Sequence, residues 1–274
     1  MSKNSPLAVF DSGVGSYSIV KVLHKMLPSE KIIYLADRAS FPYGQKTHSE
    51  LKTIVDRTIS WLETNYQPKL IIVASNTPSI QVLDEIKTSH KTPLIGVFPP
   101  IEQAVKISNT KHIAILATKG AVISSELDDF IKSKNLPINA VVHKVNASDM
   151  VALIEPGIFQ SDYEKSEQII KSVIDPLLNN DPKMDIMTLS STHLPFLNDF
   201  FKKFYPNITF LDPAEEIAHK VKNMLEENNL KADEKGEIQV LATIDADKKL
   251  KTEELKQILF RLGLNAAVRE VIIK

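Results

Sequence analysis

Two segments rich in hydroxyl side chains carry most of the chemistry this chain can offer. Ala74-Ser75-Asn76-Thr77-Pro78-Ser79 closes one apolar run, and Leu189-Ser190-Ser191-Thr192-His193-Leu194-Pro195 closes another; each comes just before a helical stretch. Hydroxyls and an amide at the carboxyl end of a buried strand stand where α/β proteins bind ligands. A helix N-terminus at that point favours a carboxylate or phosphate. The plainer reading of Ser75 to Thr77 is a helix cap, since Ser, Asn and Thr all cap well. His193 lies two residues beyond Ser191. Recurrence of the pattern in two similar halves suggests one site approached from opposite sides. No G-x-S-x-G elbow surrounds either serine, which sets a serine hydrolase aside.

A third segment, Phe10-Asp11-Ser12-Gly13-Val14-Gly15-Ser16-Tyr17-Ser18, also joins an apolar run to a helical one. As a phosphate loop it offers Gly13-x-Gly15-x-x-Ser18, with Asp37 placed as a ribose-binding acid, but the third glycine of that fingerprint is missing. Asp11 and Ser12 add side chains that could meet a substrate, while two glycines at such a turn also occur for steric reasons alone. Phe41-Pro42-Tyr43-Gly44 reads as a turn after Asp37, and Glu155-Pro156-Gly157 as a turn with a solvated carboxylate. The histidines at 24, 48, 90, 112, 143 and 219 are scattered without H-E-x-x-H or paired-ligand spacing, so the sequence offers no metal site. Cysteine is absent, which removes disulfides, thiolate metal sites and every thiol mechanism.

The elements that must position these residues are legible from hydrophobic pattern. Leu7–Phe10, Lys31–Leu35, Leu70–Ala74, Leu94–Phe98, His112–Ala117, Ala140–Val145, Asp185–Leu189 and Ile208–Leu211 read as buried parallel strands covered on both faces. Between them Leu51, Ile54, Val55, Thr58, Ile59 and Leu62 keep one helical face apolar, as do Ile169, Ile170, Val173, Ile174 and Leu177, with Pro176 expected to perturb the end of the second helix. Strand–helix alternation over the whole length predicts an α/β fold with parallel sheets. The pattern is duplicated: one set runs to Phe98 and Pro99-Pro100, and a second begins at His112. The tail adds strands at Ile238–Thr243 and Ala267–Ile273 around one helix, preceded by a charged stretch, Glu226 to Gly236, that reads as an exposed loop.

Length and composition bound the function. At 274 residues the chain suits about two domains. With 33 basic and 34 acidic residues the net charge is −1, which gives a nucleic-acid role no electrostatic footing. No apolar run reaches the ~20 residues of a membrane span and no signal-peptide core follows Met1, so neither nucleic acid nor membrane is an expected partner and the cytoplasm is the expected location.

In order and spacing the motifs together resemble the glutamate racemase family. Asp11-Ser12-Gly13-Val14-Gly15 is similar to its opening D-S-G-x-G-G, and Tyr34-x-x-Asp37 with Pro42-Tyr43-Gly44 to its second motif. Ala74-Ser75-Asn76-Thr77 resembles A-C-N-T, and Ser191-Thr192-His193-x-Pro195 resembles C-T-H-Y-P. Ala117-Thr118-x-Gly120, Glu155-x-Gly157 and Asp212-Pro213-x-Glu215 fit smaller motifs, so the resemblance covers essentially the whole chain.

The resemblance implies two α/β domains, 1–98 plus 212–274 and 99–211, with the active-site cleft between them. It implies L-/D-glutamate interconversion without a cofactor, D-glutamate for peptidoglycan, and a homodimer. The ligand would be glutamate or aspartate. In the family two cysteines act as opposed acid and base at Cα; by position Ser75 and Ser191 stand in their places. Asp11, His193 and Glu155 match the assisting catalytic residues, and Ser12, Pro42, Tyr43, Gly44, Asn76, Thr77, Thr118 and Thr192 the substrate-binding set. Serine at both acid–base positions implies slow or absent racemisation, since a thiol titrates near ~8.5 and a hydroxyl is a far weaker acid. Ser16, Pro78, Ala121, Ser190 and Leu194 depart from the family motifs too, and drift in several motifs at once favours natural divergence over engineering. Two readings follow: an impaired racemase, or an inactive homologue that binds a small amino acid or dicarboxylate. A nucleotide enzyme built on Gly13 and Gly15 comes third, because the other motifs do not serve it.

Overall fold

The apolar runs become strands because both faces of each must be covered, and the structure, a computed structural model, covers them with helices. It describes residues 2–244 and 252–273; Met1, 245–251 and Lys274 lie outside the described residues. In chain order the strands are β1 (Leu7–Asp11), β2 (Ile32–Ala36), β3 (Leu70–Val73), β4 (Leu94–Gly96), β5 (His112–Ala117), β6 (Val141–Asn146), β7 (Ile186–Leu189), β8 (Thr209–Leu211), β9 (Ile238–Thr243) and β10 (Val268–Val271). β1, β2 and β3 are buried along their whole length, as strands sandwiched between helix layers must be.

The chain divides into two units, Met1–Val97 with Ala214–Lys274, and Phe98–Pro213. The first holds a parallel sheet ordered β10-β9-β2-β1-β3-β4, the second one ordered β6-β5-β7-β8. The fold is therefore α/β, as the alternating pattern predicts. The order 2-1-3-4 in the first sheet is repeated as 6-5-7-8 in the second, so the duplication seen in the sequence is a duplication of topology.

The two long helices show how local sequence sets element ends. The His48–Tyr66 helix opens on a capping box: Thr47 Oγ1 accepts from the Glu50 amide, and the Glu50 carboxylate accepts from the Thr47 amide at 2.8 Å. Leu51, Val55, Thr58, Ile59 and Leu62 form its buried face. The Tyr163–Asn180 helix runs straight through Pro176, where the sequence suggests a perturbed end. Pro176 sits on the exposed side, so solvent can take up the Ser172 carbonyl that loses its partner.

Two further expectations are corrected. β6 is only half-buried along most of its length, not covered on both sides, because it forms the edge of its sheet. The stretch Glu226 to Gly236 is not a plain exposed loop. The helix Ala214–Glu227 takes its first two residues, and the remainder closes over a buried ion pair. Lys69 Nζ lies 2.5 Å from Glu30 Oε2 with both side chains at most 1% exposed, and donates to the Lys3 and Leu230 carbonyls at 2.7 Å each. Glu30 Oε1 accepts from the Ala232 amide at 2.9 Å. Gly236 passes so close that a Cβ there would stand 2.1 Å from the Glu30 carbonyl oxygen, so only glycine fits. Directly beyond it the Glu237 carbonyl accepts from the Ile32 amide, and β9 enters the sheet beside β2.

The ion pair thus clasps the two chain segments of the first unit together. Glu30→Gln leaves the Lys69 ammonium buried without its counter-charge, and urea denaturation should show a loss of about 3–5 kcal/mol; a loss below about 1 kcal/mol would mean the clasp is not electrostatic.

Candidate active site

In an open parallel sheet, ligands bind where successive connections leave a strand in opposite directions, outside the carboxyl ends. In the first sheet that reversal lies between β1 and β3, in the second between β5 and β7. The sequence-predicted residues gather at these two points.

At the first, Phe10 pairs with Val73, and the Ala74 amide donates to the Phe10 carbonyl at 2.8 Å, so Asp11 and Ser75 leave the sheet side by side. Ser75 is still extended, at φ −146° and ψ 129°, and the helix Asn76–Gln81 starts directly after it. Ser75 holds the N-cap position, yet its side chain makes no capping bond, so the helix-cap reading of this hydroxyl fails. Ser79 does the structural work instead: its hydroxyl reaches the Ser75 carbonyl at 2.7 Å and accepts from the Val97 amide at 3.0 Å. Asn76 is 4% exposed, and neither its carboxamide nitrogen nor its oxygen has a hydrogen-bond partner.

The segment that follows β2 folds back against this point. Asp37 is buried and both carboxylate oxygens are occupied: Oδ2 accepts from the Tyr43 hydroxyl at 2.9 Å and Oδ1 from the Thr243 hydroxyl at 2.7 Å. Thr243 Oγ1 in turn accepts from the Ala39 amide at 2.9 Å. Pro42 follows a cis peptide bond, and Tyr43 and Gly44 open a short 3-10 turn, Tyr43–Gln45. The Tyr43 amide donates to Ser12 Oγ at 3.4 Å, and the Ser12 amide donates to Asp11 Oδ1 at 2.6 Å. Burial first, then the negative charges of Asp37 and Asp11, push the Tyr43 phenol well above its ordinary value. Tyr43 is therefore a neutral donor in this array. Asp37 is only 2% exposed and is bonded within the protein through both oxygens, which counts against its use as the ribose-binding acid of the dinucleotide reading.

The second point repeats the first. Leu116 pairs with Leu189, and the Ser190 amide donates to the Leu116 carbonyl at 2.9 Å, the counterpart of the Ala74 bond. Ser191 is thereby the positional equivalent of Ser75. Thr118 directly follows β5, as Ser12 follows β1. Ser191, Thr192 and His193 are all buried, and a short 3-10 turn, Leu194–Leu197, follows in place of an α-helix. His193 Nε2 lies 2.6 Å from Glu155 Oε1, the two side chains being 6% and 11% exposed. The Glu155 carboxylate is therefore held and largely enclosed, not merely solvated. Gly157, at φ +75°, gives the left-handed turn that lets the chain leave Glu155 and start the Ile158–Ser161 helix.

Thus Asp11, Ser12, Pro42, Tyr43, Gly44, Ser75, Asn76 and Thr77 belong to the first unit, and Thr118, Glu155, Ser191, Thr192 and His193 to the second. Each unit carries hydroxyls at its strand ends and at least one stronger base: Asp11 in the first, the His193–Glu155 pair in the second. Sequence reasoning did not find Thr243 or the double role of Asp37. Register makes them neighbours, since Ala36 pairs with Ala242, and nothing in a sequence 206 residues apart announces that pairing.

No family model matches the chain. Individual proteins do. Glutamate racemase of Bacillus cereus is 32% identical over 228 residues, covering 82% of each chain. Among solved structures, glutamate racemase isoform RacE1 from Bacillus anthracis superposes with a TM-score of 0.84 at 25% identity over 98% of both chains. Escherichia coli glutamate racemase, in complex with L-glutamate and the activator UDP-MurNAc-Ala, gives 0.83 at 26% identity over 98% of this chain and 99% of that one.

Two substitutions contrast a hydroxyl engaged in the buried network with a carboxamide that has no partner. Thr243→Val removes a hydroxyl that both donates and accepts in a buried network, and should cost about 1–3 kcal/mol by urea denaturation. Asn76→Ala removes a carboxamide with no partner to lose, and should leave stability within about 1 kcal/mol of the parent; a larger loss would make Asn76 a structural residue.

Proposed function

This chain belongs to the glutamate racemase family, and from that premise we propose that it binds free glutamate at these strand ends with Ser75 and Ser191 in the positions of the opposed acid–base pair. Asn76 carries the reading. A buried carboxamide with both polar atoms unmet is rare in a folded protein and calls for an explanation. An α-amino acid supplies the complement, a carboxylate for the Nδ2 donor and an ammonium for the Oδ1 acceptor. The Ser, Thr and backbone donors around both strand ends suit the remaining carboxylate.

The reaction this arrangement serves is proton exchange at Cα. One base withdraws the Cα proton and an acid on the other face delivers one, with no net redox change and no cofactor demanded by the balance. Cysteine suits the task because its thiol titrates near ~8.5. A serine hydroxyl is a far weaker acid, and each pKa unit of that gap costs about 1.4 kcal/mol in forming the anion. Asp11 and the His193–Glu155 pair supply the nearest bases, and a serine catalyst depends on such a partner to take its proton. The chain therefore turns glutamate over far more slowly than a cysteine pair would. Where turnover is present it supplies D-glutamate to peptidoglycan from the cytoplasm, as a homodimer. The second reading, an inactive homologue that binds a small amino acid or dicarboxylate, is favoured by one feature of the sequence, serine at both places where the resembled motifs carry cysteine.

Proton NMR of L- and D-glutamate in D₂O, following loss of the Cα–H signal, tests the proposal. The expected result is saturable binding with exchange near the protein-free rate, and exchange well above it once Ser75 and Ser191 are both replaced by cysteine. Failure of the double cysteine variant to exchange, together with no thermal stabilisation of the parent by glutamate, would overturn it. Asn76→Ala combined with Thr192→Ala should abolish the glutamate-dependent shift in melting temperature; an unchanged shift would place the ligand elsewhere.

A further inference from the structure

The second sheet carries a cluster of metal-ligating side chains that the proposed function does not use. His112 opens β5, and His143 lies on the neighbouring β6. In the parallel register His112 stands opposite Val141 and His143 opposite Ala114, so even spacing puts both imidazoles on one face of the sheet. Asp181 ends the Tyr163–Asn180 helix as its C-cap. Its Oδ2 lies 2.7 Å from His112 Nδ1 and 2.8 Å from His143 Nε2, and the three ligand atoms all fall within 4.8 Å of one another.

We propose that His112, His143 and Asp181 form a binding site for a divalent d-block cation, for which Zn²⁺ is the probe. Two imidazole nitrogens and one carboxylate oxygen select such an ion over Mg²⁺ or Ca²⁺, which take oxygen ligands. Three protein ligands leave the remaining positions to water, and the site is open enough to admit it, the side chains being 20%, 26% and 11% exposed. The carboxylate is already oriented. Asp181 Oδ1 accepts from the Lys183 amide at 3.2 Å, which leaves Oδ2 turned to the histidines, the kind of support that fixes a ligand's direction. The negative end of an 18-residue helix adds a further preference for positive charge. Metal bonds of ~2.0–2.2 Å need ligand atoms about 3.3 Å apart, so the carboxylate would withdraw from each imidazole by about half an ångström as the ion enters.

The site is remote from the strand-end chemistry. His112 is the first residue of β5 and Thr118 follows the last, a separation of about 20 Å along the strand. A bound ion would tie the edge strand β6 and the helix end to β5, the strand that carries Thr118. The proposal does not depend on the glutamate reading.

Isothermal titration of tag-free full-length protein with ZnCl₂ tests it. One site is expected, weakened at least about tenfold in His143→Ala and in Asp181→Asn, unchanged in His48→Ala, with the glutamate-dependent thermal shift retained in all three. Absence of zinc binding by the parent, or equal binding by His143→Ala, would overturn the proposal and leave the triad as a hydrogen-bonded cluster only. Should the variants fail to fold, anomalous scattering at the zinc edge from soaked parent crystals decides it: a peak among His112 Nδ1, His143 Nε2 and Asp181 Oδ2 supports the site, and no peak there refutes it.

Discussion

The reversal of strand order beside β1 and again beside β5 is the constraint on which the rest of this structure depends. Where two crossovers leave neighbouring strands in opposite directions, neither helix can roof the carboxyl ends between them, and a polar crevice is left at the sheet's edge. The residues proposed for acid–base chemistry are placed there: Asp11 and Ser75 in the first sheet, Thr118, Ser191 and His193 in the second. Because the 2-1-3-4 order is repeated, one ladder bond, from Ala74 to Phe10 and from Ser190 to Leu116, positions the two serines in the same way.

Around these points the polar groups divide by whether they are already engaged. Asp37, Thr243, Tyr43 and Ser79 spend their hydrogen bonds on the protein, and so hold the segment 37–45 and the turn at Ser75 in place. The extra strand β9, clasped by Glu30, Lys69 and Gly236, supplies the Thr243 hydroxyl that completes this scaffold. Asn76 does the opposite, burying a donor and an acceptor without satisfying either. The contrast supports a ligand-binding role for Asn76 more strongly than any motif match does. It leaves catalysis to a separate question, the acidity of two hydroxyls in positions that suit a thiol.

Much of the architecture was legible because hydrophobic runs of parallel strands and amphipathic helices follow from burial alone, and because turn residues at strand ends mark where chemistry can sit. The α/β class, the duplication and the tail strands around one helix could all be read in that way. What escaped is tertiary. Pro176 reads as a breaker, but on an exposed helix face its missing donor is tolerated. Glu226 to Gly236 reads as solvated charge, yet its backbone is recruited to a buried ion pair whose partners lie 161 and 202 residues away. β6 has a buried strand's composition but occupies an edge. His112, His143 and Asp181 come from two strands and a helix end, so no local spacing announces them; only register and the length of one helix bring them together.

The central proposal is that Ser75 and Ser191 stand in the positions of the family's acid–base pair. Single cysteine replacements address it most directly, with each enantiomer of glutamate followed separately for loss of Cα–H in D₂O. Ser75→Cys should restore exchange of one enantiomer and Ser191→Cys of the other, because each thiol reaches one face. Exchange of the same enantiomer by both variants, or of neither by either, would contradict the account.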